Sequence, residues 1–232
     1  FMRLLLVGYG KMGQLVGQLA PEFGCEVAGI VDPVSSASTG TIDDPRWDDI
    51  DVALDFTSPS AVVHNVPALA RRRIAIVLGT TGWQAHEADL RKAVPEGGSG
   101  IGAAPNFSTG VVLFESIAAH AARLLASQDA FGAWLYEAHH AAKKDAPSGT
   151  ALKLKRAMEE AGYHRPIDVA ASRAGFIPGT HTIGFDGPSE SITLTHTARD
   201  RGGFARGALT AAGWIKGRRG WFTMEDVLGL TT

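Results

Sequence analysis

The segment 137–151, which reads EAHHAAKKDAPSGTA, holds two adjacent histidines, two lysines and an acidic residue. A lysine beside a histidine disfavours the protonated imidazole, so we expect a lowered histidine pKa, which suits proton transfer near neutral pH. Ser148, Gly149 and Thr150 precede a helical pattern, and the free N–H groups at a helix N-terminus attract anions. Lys143 adds a full positive charge nearby. The segment therefore predicts proton transfer beside a bound anion.

Two other interpretations of this segment compete with that one. From its residues alone, a solvated loop with merely polar histidines explains the segment equally well. Metal binding is not expected, because the adjacent side chains of His139 and His140 do not converge easily and no cysteine is available as a partner.

A loop near the start of the chain has the G-x-G-x-x-G pattern. Gly8, Gly10 and Gly13 follow an apolar strand pattern and open a helical one, where glycines let the backbone approach a pyrophosphate. Asp32 follows about 20 residues later, the position from which an acid binds the adenosine ribose hydroxyls. We therefore predict a dinucleotide site that uses NADH at least as well as NADPH, because Asp32 would repel a 2′-phosphate. The alternative is a glycine-rich turn with a solvated Asp32.

Three further turns follow strand patterns, namely Asp55-Phe56-Thr57-Ser58-Pro59, Gly79-Thr80-Thr81-Gly82 and Ala104-Pro105-Asn106-Phe107-Ser108. Ligands of parallel sheets bind beyond the carboxyl ends of the strands, which would bring these turns to the cofactor. Taken alone, the first two are better explained as small-residue turns that cap helices. In the third, Asn106 and Phe107 could order a nicotinamide, or Phe107 could be a core residue.

The first half of the chain alternates strand and helix patterns. Apolar runs predict five buried strands, at Arg3–Gly8, Glu26–Asp32, Asp51–Phe56, Ile74–Gly79 and Gly100–Ala104. Helices are predicted along Met12–Phe23, from Pro59 after an N-cap at Ser58, and along Gln84–Val94. Pro67 lies inside the second helix, where we expect a kink or a break. This alternation predicts a parallel sheet with covered faces.

The pattern changes after Pro105. A long helix is predicted over Thr109–Ser127, with Val112, Ile117, Ala121 and Leu124–Leu125 on its apolar side. Strands are predicted at Phe131–His139, Asp168–Arg173, Thr180–Phe185 and Glu190–Arg199, and a helix over Phe204–Ile215. The last strand alternates apolar residues with threonines, as in a sheet with one solvated or ligand-facing side. The fold class is therefore α/β, with a Rossmann-like dinucleotide-binding domain and an α+β domain that contains a mixed, open sheet.

Composition excludes several classes of protein. The 22 basic and 24 acidic residues give a net charge of −2, which argues against a nucleic-acid binder. Hydrophobic residues make up 45% and charged residues 20%, as in a folded protein. Cys25 is the single cysteine, which excludes an internal disulfide. No apolar run is long enough to span a membrane and no signal peptide is visible, so we expect a soluble cytoplasmic protein.

The segment 137–151 resembles the signature of the dihydrodipicolinate reductase family, also called 4-hydroxy-tetrahydrodipicolinate reductases. The glycine loop and the three turns support this resemblance, which covers essentially the whole chain. Two later motifs match in order, Arg173-x-Gly175-x-Ile177-x-Gly179-x-His181 and Phe204-Ala205-x-Gly207-Ala208. The resemblance implies NAD(P)H-dependent reduction of a cyclic dicarboxylate, with tetrahydrodipicolinate as product, in the diaminopimelate route to lysine.

The resemblance also implies roles for individual residues. His139 corresponds to the proton donor and Lys143 to the second catalytic residue. His140, Gly149 and Thr150 correspond to substrate-binding positions, beside Ser148 of the predicted anion site. Cofactor positions are Gly8, Tyr9, Gly10, Lys11, Met12, Gly13, Asp32, Gly79, Thr80, Thr81, Ala104, Pro105, Asn106 and Phe107, to which we add the turn residues Phe56 and Thr57. The expected cofactor is NADH or NADPH, with NADH favoured and without a metal.

The domain organisation follows from the same resemblance, in which the last helix returns to the cofactor domain. We therefore expect a dinucleotide-binding domain at 1–108 and 205–232, and a substrate-binding and oligomerisation domain at 109–204. The expected assembly is a homotetramer that binds a small dicarboxylate and has no nucleic-acid or membrane partner.

Two alternative functions stay open at this point. One is another nicotinamide-dependent imine or semialdehyde enzyme, although a semialdehyde dehydrogenase acting through a thioester would need a catalytic cysteine. The other is a non-catalytic dinucleotide-binding module, which would be expected to have lost the pair His139 and Lys143.

Overall fold

The computed structural model describes residues 1–231, with residues 95–97 described by their backbone only. The chain forms two compact units. The first contains Phe1–Thr109 and the residues from Gly202 onward, and the second contains Gly110–Arg201. The boundaries expected from the sequence lie within three residues of these at both junctions. Each unit has its own sheet and its own hydrophobic core.

The elements follow one another along the chain as β1 (Met2–Val7), α1 (Lys11–Leu19), β2 (Cys25–Val31), β3 (Val52–Asp55), α2 (Pro59–Arg71), β4 (Ala75–Leu78), α3 (Glu87–Gly97), β5 (Gly100–Ala103), α4 (Thr109–Leu125), β6 (Gly132–His139), α5 (Gly149–Glu160), β7 (Ile167–Arg173), β8 (Thr180–Asp186), β9 (Ser191–Thr197), α6 (Gly202–Ile215), β10 (Gly220–Phe222) and α7 (Met224–Val227). Short 3-10 helices lie at Ala20–Phe23, Pro45–Asp49 and Gln84–His86. The helix predicted along Met12–Phe23 therefore ends at Leu19, because Pro21 cannot donate a helical hydrogen bond.

The first unit contains a six-stranded sheet in the order β10-β5-β4-β3-β1-β2, and every neighbouring pair is parallel. Its central strands are continuous apolar runs, and Leu4, Leu5 and Leu6 are buried, as strands covered on both faces require. The chain order reverses at β1, which pairs with β2 on one side and with β3 on the other. Ligands bind at such a switch point, so the predicted Rossmann-like architecture is confirmed.

Helix α2 begins as predicted, with the Ser58 hydroxyl accepting a backbone hydrogen bond and Pro59 in the first turn. The sequence predicted a kink or a break at Pro67, and the break is wrong, because α2 continues through this residue to its end. Pro67 removes one helical hydrogen bond, but Val66 and Leu69 on either side of it are fully buried in the core of the sheet. Packing therefore outweighs the local cost of the proline.

One aromatic ring organises the segment between β2 and β3. The indole N–H of Trp47 donates to the Thr41 carbonyl at 2.7 Å, and the ring is 3% exposed. A Cβ on Gly29 of β2 would lie 2.4 Å from this ring. The glycine therefore makes room for the indole, and the short segment closes over the sheet with a 3-10 helix but no α-helix.

The C-terminal part of the chain completes the first unit. Helix α6 packs against β3, β4 and β5. A Cβ on its Gly207 would lie 1.7 Å from the Phe107 carbonyl oxygen, so only glycine allows this approach. Strand β10 then adds to the edge beside β5, and a capping box of Thr223 and Asp226 begins α7. Neither β10 nor α7 was predicted, because three or four residues are too few to show a periodicity.

The second unit contains a four-stranded sheet in the order β7-β6-β8-β9. Strand β6 is parallel to β7 and antiparallel to β8, which is antiparallel to β9, so the predicted mixed sheet is confirmed. Side chains of α4, α5 and the sheet form one core, which contains Phe114, Leu154, Met158, Ile183 and Phe185. The buried residues of β6 alternate with more accessible ones, which places Leu135, Glu137 and His139 on the core face.

The apolar side of α4 differs from the prediction. Phe114, Ala118 and Ala122 are buried, whereas Ile117 and Leu124 are 52% and 63% exposed. The helix is apolar on several sides, so its periodicity does not distinguish the buried face, and the small alanines are the residues that approach the sheet. Among residues 1–231, neither α4 nor any other helix combines the length and apolar character needed to cross a membrane.

Candidate active site

The glycine loop lies between β1 and α1. Gly8 has a φ of 88°, and a Cβ there would lie 2.3 Å from the Phe56 carbonyl oxygen. A Cβ on Gly13 would lie 2.2 Å from the Gly8 carbonyl oxygen, so packing requires both glycines. Gly10 differs, because it precedes the first turn of α1, no side chain caps it, and nothing lies within 4 Å of its Cβ position. The N-terminus of α1 is therefore open to an anion.

Asp32 ties this loop to the end of β2. Its Oδ2 accepts the Tyr9 N–H at 2.7 Å, and its Oδ1 accepts the N–H groups of Val34 at 2.9 Å and Ser35 at 3.1 Å. These bonds, that of Tyr9 above all, lower the pKa of Asp32, so its carboxylate is ionised at neutral pH. Because each carboxylate oxygen carries two lone pairs, Oδ2 can still accept a ribose hydroxyl.

A cleft of about 700 Å³ opens where β1, β2 and β3 end. This volume is in the range of small-molecule sites. Predicted cofactor residues that line the cleft are Gly8, Gly10, Asp32, Phe56 and Thr57. Beside it in the loop and α1, Lys11 is exposed, Tyr9 and Met12 are half-buried, and Gly13 is buried. The structure therefore brings the glycine loop, Asp32 and the first of the three turns together.

Asp55, a fully buried carboxylate at the end of β3, joins two of the predicted turns. Its Oδ1 accepts the Thr57 hydroxyl at 2.6 Å and the Thr80 hydroxyl at 2.8 Å, and its Oδ2 accepts the Asn65 amide at 2.9 Å. The Thr57 N–H also donates to the Thr80 hydroxyl at 2.7 Å. The sequence analysis gave Asp55 no role, although an acid directly after an apolar strand was the available signal.

The other two turns combine packing residues with exposed ones. A Cβ on Gly79 would lie 2.1 Å from the Phe56 ring, so this glycine serves packing. Asn106 accepts the Ser108 N–H at 2.8 Å, and Phe107 is 3% exposed, which favours a core role for the phenyl ring. Thr80 and Ala104 are buried, whereas Thr81 and Pro105 are exposed.

In the second unit, His139 and Glu137 form a buried pair at the end of β6. Residues two apart on a strand point to the same face, and Nδ1 of His139 lies directly against Oε2 of Glu137. The histidine is 9% exposed and the glutamate is fully buried. Burial lowers the pKa of His139, the Glu137 carboxylate opposes this, and the Lys143 charge adds to the lowering. The predicted direction is confirmed, but desolvation is the larger cause.

Glu137 is held by two further donors. Arg173 of β7 donates to its Oε1 at 2.7 Å, and the backbone N–H of Ser148 donates to the same oxygen at 3.0 Å. Burial by itself would raise the pKa of Glu137, but Arg173, Ser148 and His139 outweigh it and hold the pKa below its usual value. Glu137 is therefore an anion at neutral pH. Glu137 and Arg173 both stand in the motifs that carry the family resemblance, yet the sequence analysis assigned them no role.

His181 of β8 closes the other side of this cluster. Its ring packs edge-on against His139, with centroids 5.1 Å apart, and its Nε2 lies 3.2 Å from the Ser148 hydroxyl. Burial, reinforced by the His139 charge, lowers the pKa of His181 to about 4, so its ring is neutral near pH 7. Gly179 has a φ of 146°, and a Cβ there would lie 3.1 Å from Nε2 of His139. The sequence analysis missed both residues, although the motif ending in His181 contains them.

Lys143 and the other predicted substrate residues surround this cluster less tightly. The Lys143 ammonium pairs with Asp145 at 2.7 Å, a carboxylate that is more than half exposed. Ser148 caps α5 by accepting the Ala151 N–H at 3.2 Å. Gly149 is exposed, with nothing within 4 Å of its Cβ position, while Thr150 and His140 are half-buried. The structure thus places Ser148 in direct contact with the cluster and Lys143 within its electrostatic range.

The ligating atoms of Glu137, His139 and His181 lie within 4.8 Å of one another, so these residues could hold a metal ion. This grouping differs from the adjacent pair His139 and His140 that the sequence analysis weighed. However, Arg173 already supplies the positive charge beside Glu137, and a metal ion there would also face Lys143. The chemistry of the donor set therefore favours a hydrogen-bonded network that holds a proton.

A Rossmann-like unit with an open glycine loop, joined to a unit that carries a buried histidine–carboxylate pair, defines a dinucleotide-dependent oxidoreductase. The family model described as "Dihydrodipicolinate reductase, N-terminus" matches residues 2–107, and that described as "Dihydrodipicolinate reductase, C-terminus" matches residues 110–228. The chain therefore belongs to the dihydrodipicolinate reductase family.

Individual relatives agree with this assignment. The chain is 33% identical to the 4-hydroxy-tetrahydrodipicolinate reductase of Christiangramia forsetii over 98% of both chains. It is 36% identical to that of Methanoregula boonei over 95% of both. Among solved structures, the dipicolinate-bound dihydrodipicolinate reductase of Paenisporosarcina sp. TG-14 has the same fold, with a TM-score of 0.83 at 22% identity over 96% of this chain and 97% of that one.

Proposed function

We propose that this chain catalyses the NAD(P)H-dependent reduction of 4-hydroxy-tetrahydrodipicolinate to tetrahydrodipicolinate, in the diaminopimelate route to lysine. The observation that carries the proposal is the buried His139, whose Nδ1 lies against Glu137 in a segment that also bears Lys143 and the N-terminus of α5. Relatives of this name match the chain over nearly its whole length, which supports the same reaction here.

The first unit fits a nicotinamide dinucleotide. Gly10 leaves open space at the N-terminus of α1 for a pyrophosphate, and the ionised Asp32 borders a cleft of about 700 Å³. When bound, the nicotinamide supplies the hydride. NADH is the favoured cofactor, because a 2′-phosphate would face the Asp32 carboxylate. The first basic residue after Asp32 is Arg46, and its guanidinium already pairs with Asp44 at 2.8 Å.

His139 and Lys143 divide the remaining chemistry. Loss of the 4-hydroxyl group as water leaves a cyclic imine conjugated to a carbon–carbon double bond. Reduction then adds hydride at one carbon of that double bond and a proton at its neighbour. His139 donates that proton from Nε2, since its Nδ1 is engaged by Glu137. Lys143 holds a substrate carboxylate and stabilises the charge that develops. The half-exposed Asp145 that pairs with Lys143 occupies the position of that carboxylate and is displaced by substrate.

The second carboxylate of the substrate binds at the N-terminus of α5. The N–H groups of Gly149 and Thr150 lie in its first turn, and the space above Gly149 is open. Pyridine-2,6-dicarboxylate, a planar mimic, should therefore bind more weakly to Thr150→Val, by about 1.5–3 kcal/mol if the hydroxyl donates to the anion. Titration calorimetry in the presence of NADH measures this. Unchanged binding in both Thr150→Val and Lys143→Ala would contradict the proposed carboxylate sites.

The second unit also supports a homotetramer. One face of its sheet carries the helices α4 and α5, while the opposite face presents Tyr136, which is 38% exposed. Thr182 and Thr195 pair through their hydroxyls at 3.0 Å on the same open face. A sheet face of this kind can pair with that of a second copy. Light scattering coupled to size-exclusion chromatography gives the oligomeric state, and a monomeric mass at micromolar concentration would contradict this part of the proposal.

A coupled assay tests the reaction itself. Freshly prepared substrate is supplied enzymatically, and the disappearance of NADH or NADPH absorbance is followed. We expect turnover that depends on this substrate and not on other cyclic imines. Turnover of a different imine would indicate another reductase. Cofactor binding without turnover of any imine would indicate a dinucleotide-binding module instead.

A further inference from the structure

We propose that Glu137 is a positioning residue that fixes the tautomer of His139 and, through its second oxygen, the N-terminus of α5. One buried carboxylate would thereby align the proton donor with the substrate-binding end of a helix. This inference rests on the proposed role of His139 as proton donor.

The first oxygen of Glu137 determines which ring nitrogen of His139 can act. Oε2 lies directly against Nδ1, and a carboxylate only accepts hydrogen bonds, so Nδ1 must carry a proton. Nε2 is then the atom that exchanges its proton with the substrate. Beside it, the backbone at Gly179 leaves free the space that a side chain would fill, since a Cβ there would lie 3.1 Å from Nε2.

The second oxygen of Glu137 is anchored independently of His139. Oε1 accepts hydrogen bonds from Arg173 at 2.7 Å and from the Ser148 N–H at 3.0 Å. Both partners only donate at these atoms, so Oε1 must remain an acceptor. Ser148 is also the N-cap of α5, and its hydroxyl lies 3.2 Å from Nε2 of His181. A shift of Glu137 would therefore move the histidine ring and the helix end together.

The charged and titratable groups around His139 come from four segments. Glu137 of β6 favours its protonated form, whereas Lys143 of the following loop and Arg173 of β7 disfavour it. His181 of β8 faces it as a neutral ring near pH 7. Glu137 is thus the group that opposes burial and two cations, so its loss should make the proton donor harder to protonate.

Glu137→Gln separates the two functions of the residue. Arg173 and the Ser148 N–H require the amide oxygen, which turns the amide nitrogen towards His139 and makes Nδ1 an acceptor. We expect the neutral ring to change from the Nδ1–H to the Nε2–H tautomer. We also expect the pKa of His139 to fall, and kcat to decrease roughly 10²-fold or more. Binding of pyridine-2,6-dicarboxylate should change less than threefold. The glutamine oxygen still accepts the hydrogen bonds of Arg173 and the Ser148 N–H, so the N-terminus of α5 stays in place.

Two further variants complete the experiment. Glu137→Ala removes both anchors, so kcat and dicarboxylate affinity should fall together. Glu160→Gln makes the same charge change at an exposed position at the end of α5 and should leave kcat, the tautomer and dicarboxylate binding unchanged. The tautomer and the pKa of His139 are read from ring-nitrogen NMR shifts of ¹⁵N-histidine-labelled protein, assigned with His139→Gln.

The NMR measurement needs no turnover, which keeps this proposal distinct from the proposed function. Absence of reductase activity in the wild-type chain would overturn the function. A neutral wild-type His139 found in the Nε2–H form would overturn the role of Glu137, even if Glu137→Gln failed to fold. A folded Glu137→Gln variant with unchanged tautomer and kcat would overturn it as well.

Discussion

Among the side chains that the structure describes, each unit contains one fully buried carboxylate near the end of a strand, but the two carboxylates have different partners. Asp55 in the first unit accepts hydrogen bonds from neutral groups, the hydroxyls of Thr57 and Thr80 and the amide of Asn65. Glu137 in the second unit contacts Arg173 and His139, both of which carry or exchange charge.

Asp55 therefore serves as a scaffold carboxylate, whereas Glu137 belongs to the proposed reacting centre. Neutral donors have fixed protonation states, so the Asp55 network stays the same through a catalytic cycle and holds two turns in place. Arg173 stays charged, whereas His139 can gain or lose a proton, so under the proposed function the Glu137 network responds to the proton transfer. In the proposed function, the first unit accordingly offers a static surface for a cofactor, and the second a proton that can be moved.

The largest expected effect comes from removing His139, the proposed proton donor of the second unit. His139→Gln should lower kcat roughly 10²–10⁴-fold, the usual contribution of a positioned general acid. The Kd for NADH should stay within about twofold, because the proposed cofactor residues belong to the first unit. Steady-state kinetics and calorimetry measure the two quantities, and His164→Gln, at an exposed histidine, is the matched control. More than a tenth of wild-type turnover in His139→Gln would contradict the assignment.

Acid should unfold the second unit before the first. His181 has a folded pKa of about 4, below its ordinary value of 6.5, so the unfolded chain binds a proton between these values that the folded chain does not. The contribution of the neutral His181 to the stability of the second unit is therefore complete above pH 6.5. It is lost as the pH falls towards 4, by up to about 3 kcal/mol. The histidines of the first unit, His64 and His86, are exposed.

Hydrogen exchange of peptides from β6 and β8, compared with β3 and β4, measures this effect between pH 7 and pH 4. His181→Gln should flatten the pH dependence of the second unit, whereas His164→Gln should not. Equal acid sensitivity of both units would show that His181 is not the cause.

Removing the charge of the scaffold carboxylate should cost stability and leave the chemistry of the second unit intact. In Asp55→Asn, an amide N–H₂ replaces an acceptor that faces only donors, which should destabilise the first unit by about 1–3 kcal/mol. Urea unfolding measures the loss, with Asp89→Asn at an exposed site as control. Dicarboxylate binding should be unchanged below the transition. If Asp55→Asn altered the pH dependence of kcat, the distinction between the two carboxylates would fail.

The smallest effect concerns the choice of cofactor. Asp32→Ser removes the charge that a 2′-phosphate would face and should shift the ratio of kcat/KM towards NADPH by about tenfold, or about 1.4 kcal/mol. Asp43→Ser, at an exposed acid in the segment that follows, should leave the ratio unchanged. A wild-type chain that binds NADPH more than tenfold tighter than NADH would contradict the argument from Asp32.

Local patterns in the sequence were sufficient for most of the fold. Continuous apolar runs such as Leu4–Val7 indicate covered strands, and the capping signal of Ser58 and Pro59 located the start of α2. The face of α4 was not predictable, because Ile117 and Ala118 are both apolar and only tertiary packing selects the alanine. The absence of the break expected at Pro67 was not predictable from the sequence for the same reason, since packing of its neighbours in the core keeps α2 continuous.

The candidate site likewise divides into residues that local patterns identify and residues that only the tertiary structure brings together. His139, Lys143 and Ser148 were found because they lie within one short segment whose residue types indicate proton transfer and anion binding. Arg173 and His181 lie on β7 and β8, so their approach to Glu137 depends on strand pairing. The pairing of Asp55 with Thr80 likewise joins residues from two turns. Periodicity and spacing in the sequence do not predict such contacts between distant segments.

The return of α6 to the first unit has a consequence for synthesis on the ribosome. The chain from Gly202 onward supplies α6, which packs on β3, β4 and β5, and β10 at the sheet edge. Until translation reaches these residues, the first five strands have emerged without one of their covering helices. The second unit is one continuous stretch of chain, so it can fold before α6 and β10 have been synthesised. The nascent N-terminal half therefore exposes apolar sheet surface until the C-terminal residues emerge, although it is made first.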